Sequence, residues 1–210
     1  MNVTLIYLAA GNSRRFGESI RLLKEKKHLI SEEVPENKLL FSIGGKPMYL
    51  HLLKRLVRIC RRHSKWEVLV VTQYPEILET AEKLGVRAVF SPDSCKGASW
   101  SVKAAIRETQ DADACAFFVA DQPYLSEKTA EDFLEDMQRR CPEGIGCVCC
   151  GEMTGNPVWF SRRFFPELLK LEGDRGGKKV LRDHWSEAKF FCLKDENELR
   201  DVDVWMFGND

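Results

Sequence analysis

The chain has 210 residues, enough for one ordinary globular domain with a sizeable core, and its hydrophobic fraction of 44% and charged fraction of 30% argue against disorder. Lys and Arg together number 32, as do Asp and Glu, so the net charge is zero. No global basic field exists to hold nucleic acid or a membrane surface, and any phosphate-binding surface is expected to be local.

Residues 1–10 carry no basic side chain, so a signal peptide is not expected, and no stretch reaches the roughly 20 apolar residues that cross a bilayer. The eight cysteines are too sparse for a small disulfide scaffold, and Cys115, Cys147 and Cys149 sit inside apolar runs. A reduced, cytoplasmic protein is expected. Residues 3–8 predict a buried strand with a loop from Ala9. A helix is predicted over 48–60, with Pro47 in its first turn, then a strand over 66–72. A short helix over 75–84 stopped by Gly85, a strand over 86–90 and a helix over 98–109 follow. Residues 114–120 form an apolar strand, and 126–139 a helix capped by Ser126. Beyond it lie expected strands at 145–149 and 158–160, a helix over 162–171, and closing strands at 187–193 and 200–204. Residues 18–36, rich in Lys and Glu, read as a surface insertion in a single domain spanning 1–210. The alternation of strand and helix predicts an α/β fold, a mostly parallel Rossmann-like sheet covered on both faces as three αβα layers. In such sheets ligands gather at the carboxyl ends of the strands, here the loops after Leu8, Phe90 and Ala120.

The first of these loops reads Leu8-Ala9-Ala10-Gly11-Asn12-Ser13-Arg14-Arg15-Phe16-Gly17. Small residues let backbone N–H groups approach phosphate oxygens, and Gly11 is expected to supply backbone angles a larger residue would resist. Arg15 would add charge-assisted hydrogen bonds. The dinucleotide pattern G-x-G-x-x-G is absent, and Gly45-Lys46 is followed by Pro47, so the P-loop pattern fails as well. Together with Asn37-Lys38-Leu39-Leu40 and Gly45-Lys46-Pro47-Met48, the loop resembles the signature of nucleotidyltransferases of the nucleotide-diphospho-sugar transferase fold. Among these the chain most resembles the molybdenum cofactor cytidylyltransferases and related MobA-like enzymes, over nearly its whole length apart from 18–36.

That resemblance implies roles for particular residues. Leu8, Ala9, Ala10, Gly11, Ser13, Arg15 and Lys38 would hold a triphosphate. Gly97, Ser99 and Ser101, which open a predicted helix, would contact the nucleoside, although Ser99 could equally be a simple cap. Asp121, placed directly after an apolar strand in Asp121-Gln122-Pro123, would hold Mg²⁺, an ion that favours one or two carboxylates plus phosphate oxygens. Asp203, within Asp201-Val202-Asp203-Val204, would be a second ligand, although the family's following Thr-Pro-Glu-Asp is replaced. Asn156 and Pro157, and the Gly173-Asp174-Arg175-Gly176 turn, resemble acceptor-side motifs; by physics alone the turn could be only a helix stop and restart. Arg15, Lys38 and Asp121 are the expected catalytic residues.

The resemblance thus implies transfer of CMP from CTP to molybdenum-bound molybdopterin, with a molybdenum hydroxylase apoenzyme or its accessory protein as a further partner. Ala10 stands where the guanylyl branch has glycine, which favours CTP. Two other readings stay open: a related nucleotidyltransferase using GTP or another phosphate-bearing acceptor, and a non-catalytic carrier or insertion factor for the pterin cofactor. Cys141, Cys147, Cys149 and Cys150 contain one C-x-x-C without the second pair that structural zinc sites favour, and read as buried strand cysteines. The four histidines show no metal-ligand spacing.

Overall fold

A computed structural model describes residues 1–12, 35 and 37–202; the expected insertion at 18–36 lies, apart from Pro35, outside the described residues. In chain order the elements begin with β1 (Val3–Ala9), a 3-10 turn (Lys38–Leu40), a small hairpin of β2 (Ser42–Ile43) and β3 (Lys46–Pro47), and α1 (Met48–Arg62). Then come β4 (Trp66–Thr72), α2 (Pro75–Lys83), β5 (Arg87–Phe90), a 3-10 turn (Pro92–Lys96), α3 (Ala98–Arg107) and β6 (Ala114–Val119). The later part holds α4 (Glu127–Arg140), β7 (Ile145–Cys150), β8 (Met153–Ser161), a short 3-10 turn running into α5 (Phe165–Leu168), α6 (Gly177–Asp183) and β9 (Lys189–Cys192).

Seven strands form one sheet in the order β5-β4-β1-β6-β8-β7-β9. β1 pairs in parallel with β4 on one side and β6 on the other, and β4 pairs in parallel with β5. β8 is antiparallel to both β6 and β7, and β9 lies parallel to β7 at the edge. The expected mostly parallel α/β sheet is what the chain forms. Side chains alternate across it as a two-residue period requires. Val3, Leu5, Tyr7 and Ala9 of β1 face one core, packed with Leu52, Leu53 and Leu56 of α1 and Phe133 and Leu134 of α4. Ile6 faces the other, with Val102, Ala105 and Ile106 of α3, Leu168 of α5 and Val180 of α6. These are the three layers.

Local chemistry sets the element ends. Pro75 opens α2, where its missing N–H costs no bond, and Gly85 at φ 70° ends it. The Ser126 side chain accepts from the Thr129 N–H at 3.0 Å, the cap expected for α4.

Three expectations need correction. The strand read as 158–160 is the nine-residue β8. Register jumps between Cys147 opposite Val158 and Val148 opposite Gly155, so Asn156 and Pro157 stand out of the ladder with β7. A bulge is where a strand tolerates proline, which has no N–H to donate. The helix expected over 162–171 is split into Arg162–Phe164 and the four-residue α5, and the chain turns at Gly173 with φ 60°. The closing strand expected at 200–204 is not formed in its described part; Val202 N–H instead donates to the Asp121 carbonyl at 2.9 Å. Among the described residues no helix is long and apolar enough to cross a membrane.

Phe118, fully buried in β6 on the strand that leads to Asp121, sets a test of this packing. Phe118→Ala is predicted to lower the urea-unfolding free energy by about 3–5 kcal/mol. Lys83→Ala, which removes an exposed pair with Glu79 one helical turn away, should change it by less than about 0.5 kcal/mol.

Candidate active site

The loop after β1 is held by the segment that leaves β4. The Thr72 hydroxyl donates to the Ala9 carbonyl at 2.9 Å, Gln73 Nε2 to the Ala10 carbonyl at 2.7 Å, and the Tyr74 hydroxyl to the Gly11 carbonyl. Asn12 is tied in turn by Gln73 and by its own Nδ2 on the Cys95 carbonyl. Three successive carbonyls of the described part of the loop are thus anchored. Gly11 does not adopt the left-handed conformation expected for it, and a Cβ built there would meet nothing within 4 Å. Among the described residues no steric demand explains glycine at this position. The space beside it opens into a cleft.

That cleft, about 660 Å³ with its open mouth included, lies at the carboxyl ends of β1 and β6 and is lined by Leu8, Ala10, Gly11, Lys38, Gly97 and Asp121 among others. Lys38 Nζ donates to Asp121 Oδ2 at 2.8 Å, with side-chain exposures of only 14% and 27%. Partial enclosure makes this attraction stronger than that of a surface pair. Asn37 caps the turn that carries Lys38, accepting from the Leu39 N–H at 3.0 Å.

Behind Asp121 lies a carboxylate that sequence reasoning did not select. Buried Gln122 donates to Asp201 Oδ1 at 2.9 Å and to the Leu199 carbonyl at 3.0 Å, fastening the C-terminal segment to the loop after β6. Burial of its carboxyl, then the charge of Asp121, raises the Asp201 pKa; the Gln122 hydrogen bond and the charges of Lys178 and Lys38 oppose this. Asp203, Ser13 and Arg15 lie outside the described residues.

The start of α3 is locked to the 173–176 turn. Ser99 is buried, its N–H and its hydroxyl both reaching the Gly173 carbonyl at 3.2 and 2.7 Å, and Ala98 N–H donates to Asp174 Oδ1 at 3.2 Å. Gly97 has φ 142°, and a Cβ there would stand 2.5 Å from the Gly173 oxygen. Here glycine is required by close approach of two backbones. Ser99 therefore holds the turn in this structure and does not line the cleft. Ser101 does line it, with its hydroxyl on Ser94 Oγ at 2.7 Å.

A second cavity, about 970 Å³ including its mouth, adjoins the first, and Leu8, Ala98, Val119 and Asp174 form walls of both. Asn156, Arg175 and Gly176 line it, as do Lys178, Lys179 and Arg182 of α6. Pro157 is buried in β8 and Gly173 is turned to Ser99, so neither lines this cavity. The chain does restart into a helix after this turn, but Lys178, Lys179 and Arg182 were not among the residues selected from the sequence. His63, Glu131 and Glu135 meet on the far helices, but Arg62 already holds both oxygens of Glu131, and this is an ion-pair network.

Gly97→Ala should cost more than about 1 kcal/mol in chemical denaturation, because strain and a clash combine. Gly173→Ala, strained but in open space, should cost about 1–2 kcal/mol. The raised Asp201 pKa means that the folded chain holds this proton more tightly than the unfolded chain. That stabilisation is present at low pH and is lost as pH rises through the folded-state value. With chelator present, Asp201→Asn should therefore match the parent near about pH 4 and gain a higher Tm than the parent toward about pH 7, read by thermal melts across that range.

Comparison with known proteins agrees with the architecture. Residues 5–188 match the MobA-like NTP transferase domain. The purine catabolism protein PucB of Bacillus subtilis (strain 168) is 26% identical over 95% of this chain and 90% of its own length. A 3-deoxy-manno-octulosonate cytidylyltransferase of Actinobacillus pleuropneumoniae serotype 5b is 21% identical over 84% of this chain and 71% of its own. A nucleotidyl transferase structure from Methanothermobacter superposes with a TM-score of 0.73 at 16% identity, covering 96% of this chain and 91% of that one, a likeness of fold. The sheet is thus of the expected nucleotide-diphospho-sugar transferase type, and the chain belongs to the MobA-like NTP transferase family as a nucleotidyltransferase of that kind.

Proposed function

We propose that this chain transfers CMP from CTP to the phosphate of molybdenum-bound molybdopterin, forming a cytosine dinucleotide cofactor and releasing pyrophosphate. The observation that carries the reading is the pair of adjoining cavities. One holds the first loop, Lys38 and Asp121; the other is lined by Asn156, Arg175, Lys178 and Arg182; they share the wall of Leu8, Ala98, Val119 and Asp174. A donor in the first and an anionic acceptor in the second would meet at that wall. An acceptor phosphate oxygen forms a bond to the α-phosphorus of CTP as the bond to the β-phosphate oxygen breaks. No covalent intermediate on the protein is needed, so the chain contributes positioning and charge stabilisation.

The first loop and Lys38 hold the triphosphate, with Ser13 and Arg15 assigned to the same task by resemblance. Ser99 and Gly97 fix the acceptor turn against the start of α3. The oxygen-only donor set at Asp121 suits a hard cation. Asp121 would hold Mg²⁺, with Asp203 assigned as its partner by resemblance and Asp201 next to the same loop. When bound, Mg²⁺ orients the phosphates and neutralises developing charge. Cytidine is supported by Ala10 in the cleft wall, whose methyl group narrows the place where the guanylyl branch has glycine, and by the cytidylyltransferase among the relatives. A molybdenum hydroxylase apoenzyme or its accessory protein is the proposed recipient, a reading in keeping with a relative named for purine catabolism.

The test is a donor-by-acceptor panel scored by pyrophosphate release. CTP with molybdenum-bound molybdopterin should turn over fastest, and equal rates with GTP would overturn the base assignment. Asp121→Ala should lower turnover by on the order of 10²–10³ or more. A carrier would release no pyrophosphate from any triphosphate, and Asp121→Ala would leave its pterin affinity intact. In thermal melts with Mg²⁺, CTP at about 100 times its dissociation constant should stabilise the chain by roughly 2.7 kcal/mol, ahead of GTP, ATP and UTP.

A further inference from the structure

The cysteines are spread thinly along the sequence, yet two come together at the edge of the sheet. Cys149 on β7 and Cys192 on β9 are register partners, and their sulfurs lie 2.7 Å apart although the residues are 43 positions apart in sequence. Both are free thiols, Cys149 buried at 6% exposure and Cys192 exposed. Leu193 N–H donates to the Cys149 carbonyl at 2.7 Å and holds the two strands in register beside the pair. The alternative use of clustered thiols, a structural metal, needs three or four ligands. The three-ligand grouping found among the described residues contains no cysteine.

We propose that Cys149 and Cys192 form a reversible thiol–disulfide site whose oxidant is hydrogen peroxide. The exposed Cys192 sulfur attacks one peroxide oxygen; the O–O bond breaks, Cys192 becomes a sulfenic acid and the first water leaves. The Cys149 sulfur then attacks Cys192, an S–S bond forms as the S–O bond breaks, and the second water leaves. Two thiols thereby give up two electrons and two protons, and the peroxide takes them up. Burial, then the neighbouring Cys192, push the Cys149 thiol up to about 12, which leaves the exposed Cys192 as the sulfur that meets the peroxide first. The bridge staples β9, the last strand of the sheet, to β7. It also anchors the near end of the segment that returns to Asp121 through Val202.

The experiment uses the full chain, treated with hydrogen peroxide, quenched with an alkylating reagent and read by intact mass and peptide mapping. Expected are the loss of two hydrogens, one linked peptide joining Cys149 to Cys192, reversal by dithiothreitol, and a Tm rise of roughly 5–10 °C. Cys192→Ser should abolish all four. Cys149→Ser should leave a sulfenic acid on Cys192 that dimedone traps, and the Cys147→Ser/Cys150→Ser double variant should keep the bridge. A linked peptide between other cysteines overturns the proposal, as does accumulation of Cys192 sulfinic acid in the parent chain without any bridge. None of these readouts depends on the substrates proposed above.

Discussion

Parallel pairing of β1 with β4 and β6 brings three strand ends to the same edge of the sheet, and the site follows from that alignment. β1 ends at the first loop, β4 ends at the Thr72-Gln73-Tyr74 segment that holds the loop's carbonyls, and β6 ends at Val119, two residues before Asp121. The alignment is secured by two cores, because each strand buries alternate side chains on opposite faces. Functional groups need not be near in sequence when three rigid strands deliver them to one place. Lys38 and Asp121 are 83 positions apart and in contact.

Charge is concentrated locally in a chain whose net charge is zero. One cavity contains a partly enclosed cation–carboxylate pair, and the adjoining one is ringed by Arg175, Lys178, Lys179 and Arg182. Low exposure of the Lys38–Asp121 pair makes each charge more effective there than on the surface. Asp201 is crowded by burial and by Asp121, and Gln122 restrains it.

The two cavities are mechanically joined. Gly97 and Gly173 approach so closely that no Cβ fits at Gly97, and Ser99 binds the Gly173 carbonyl through two donors. Asp174 sits in the shared wall while accepting the first N–H of α3. The arrangement explains why a glycine-rich turn far along the chain belongs to the same site as the N-terminal loop. It also changes the meaning of Ser99, which holds the 173–176 turn in place.

Local pattern by itself determined the strands β1, β4 and β6, the helices that cover them, the Ser126 cap and the Gly85 stop, because burial alternation and capping are short-range chemistry. Asp121 was legible for a similar reason, as a carboxylate directly after an apolar strand, whereas Lys38 was marked out by family resemblance, since a lysine after a loop is by itself only a solvated side chain. Tertiary structure alone decided the rest. Pro157 disguised β8, since a bulge in its pairing with β7 is what accommodates the proline. The short α6 and its basic side chains depend on packing against β8 rather than on helical period. Asp201 and Gln122 gain their partnership only when the C-terminal segment returns to Asp121. Cys149 and Cys192 meet only because β9 adds to β7 at the sheet edge. Such contacts join residues tens of positions apart, and it is the closure of the sheet, not local propensity, that brings them together.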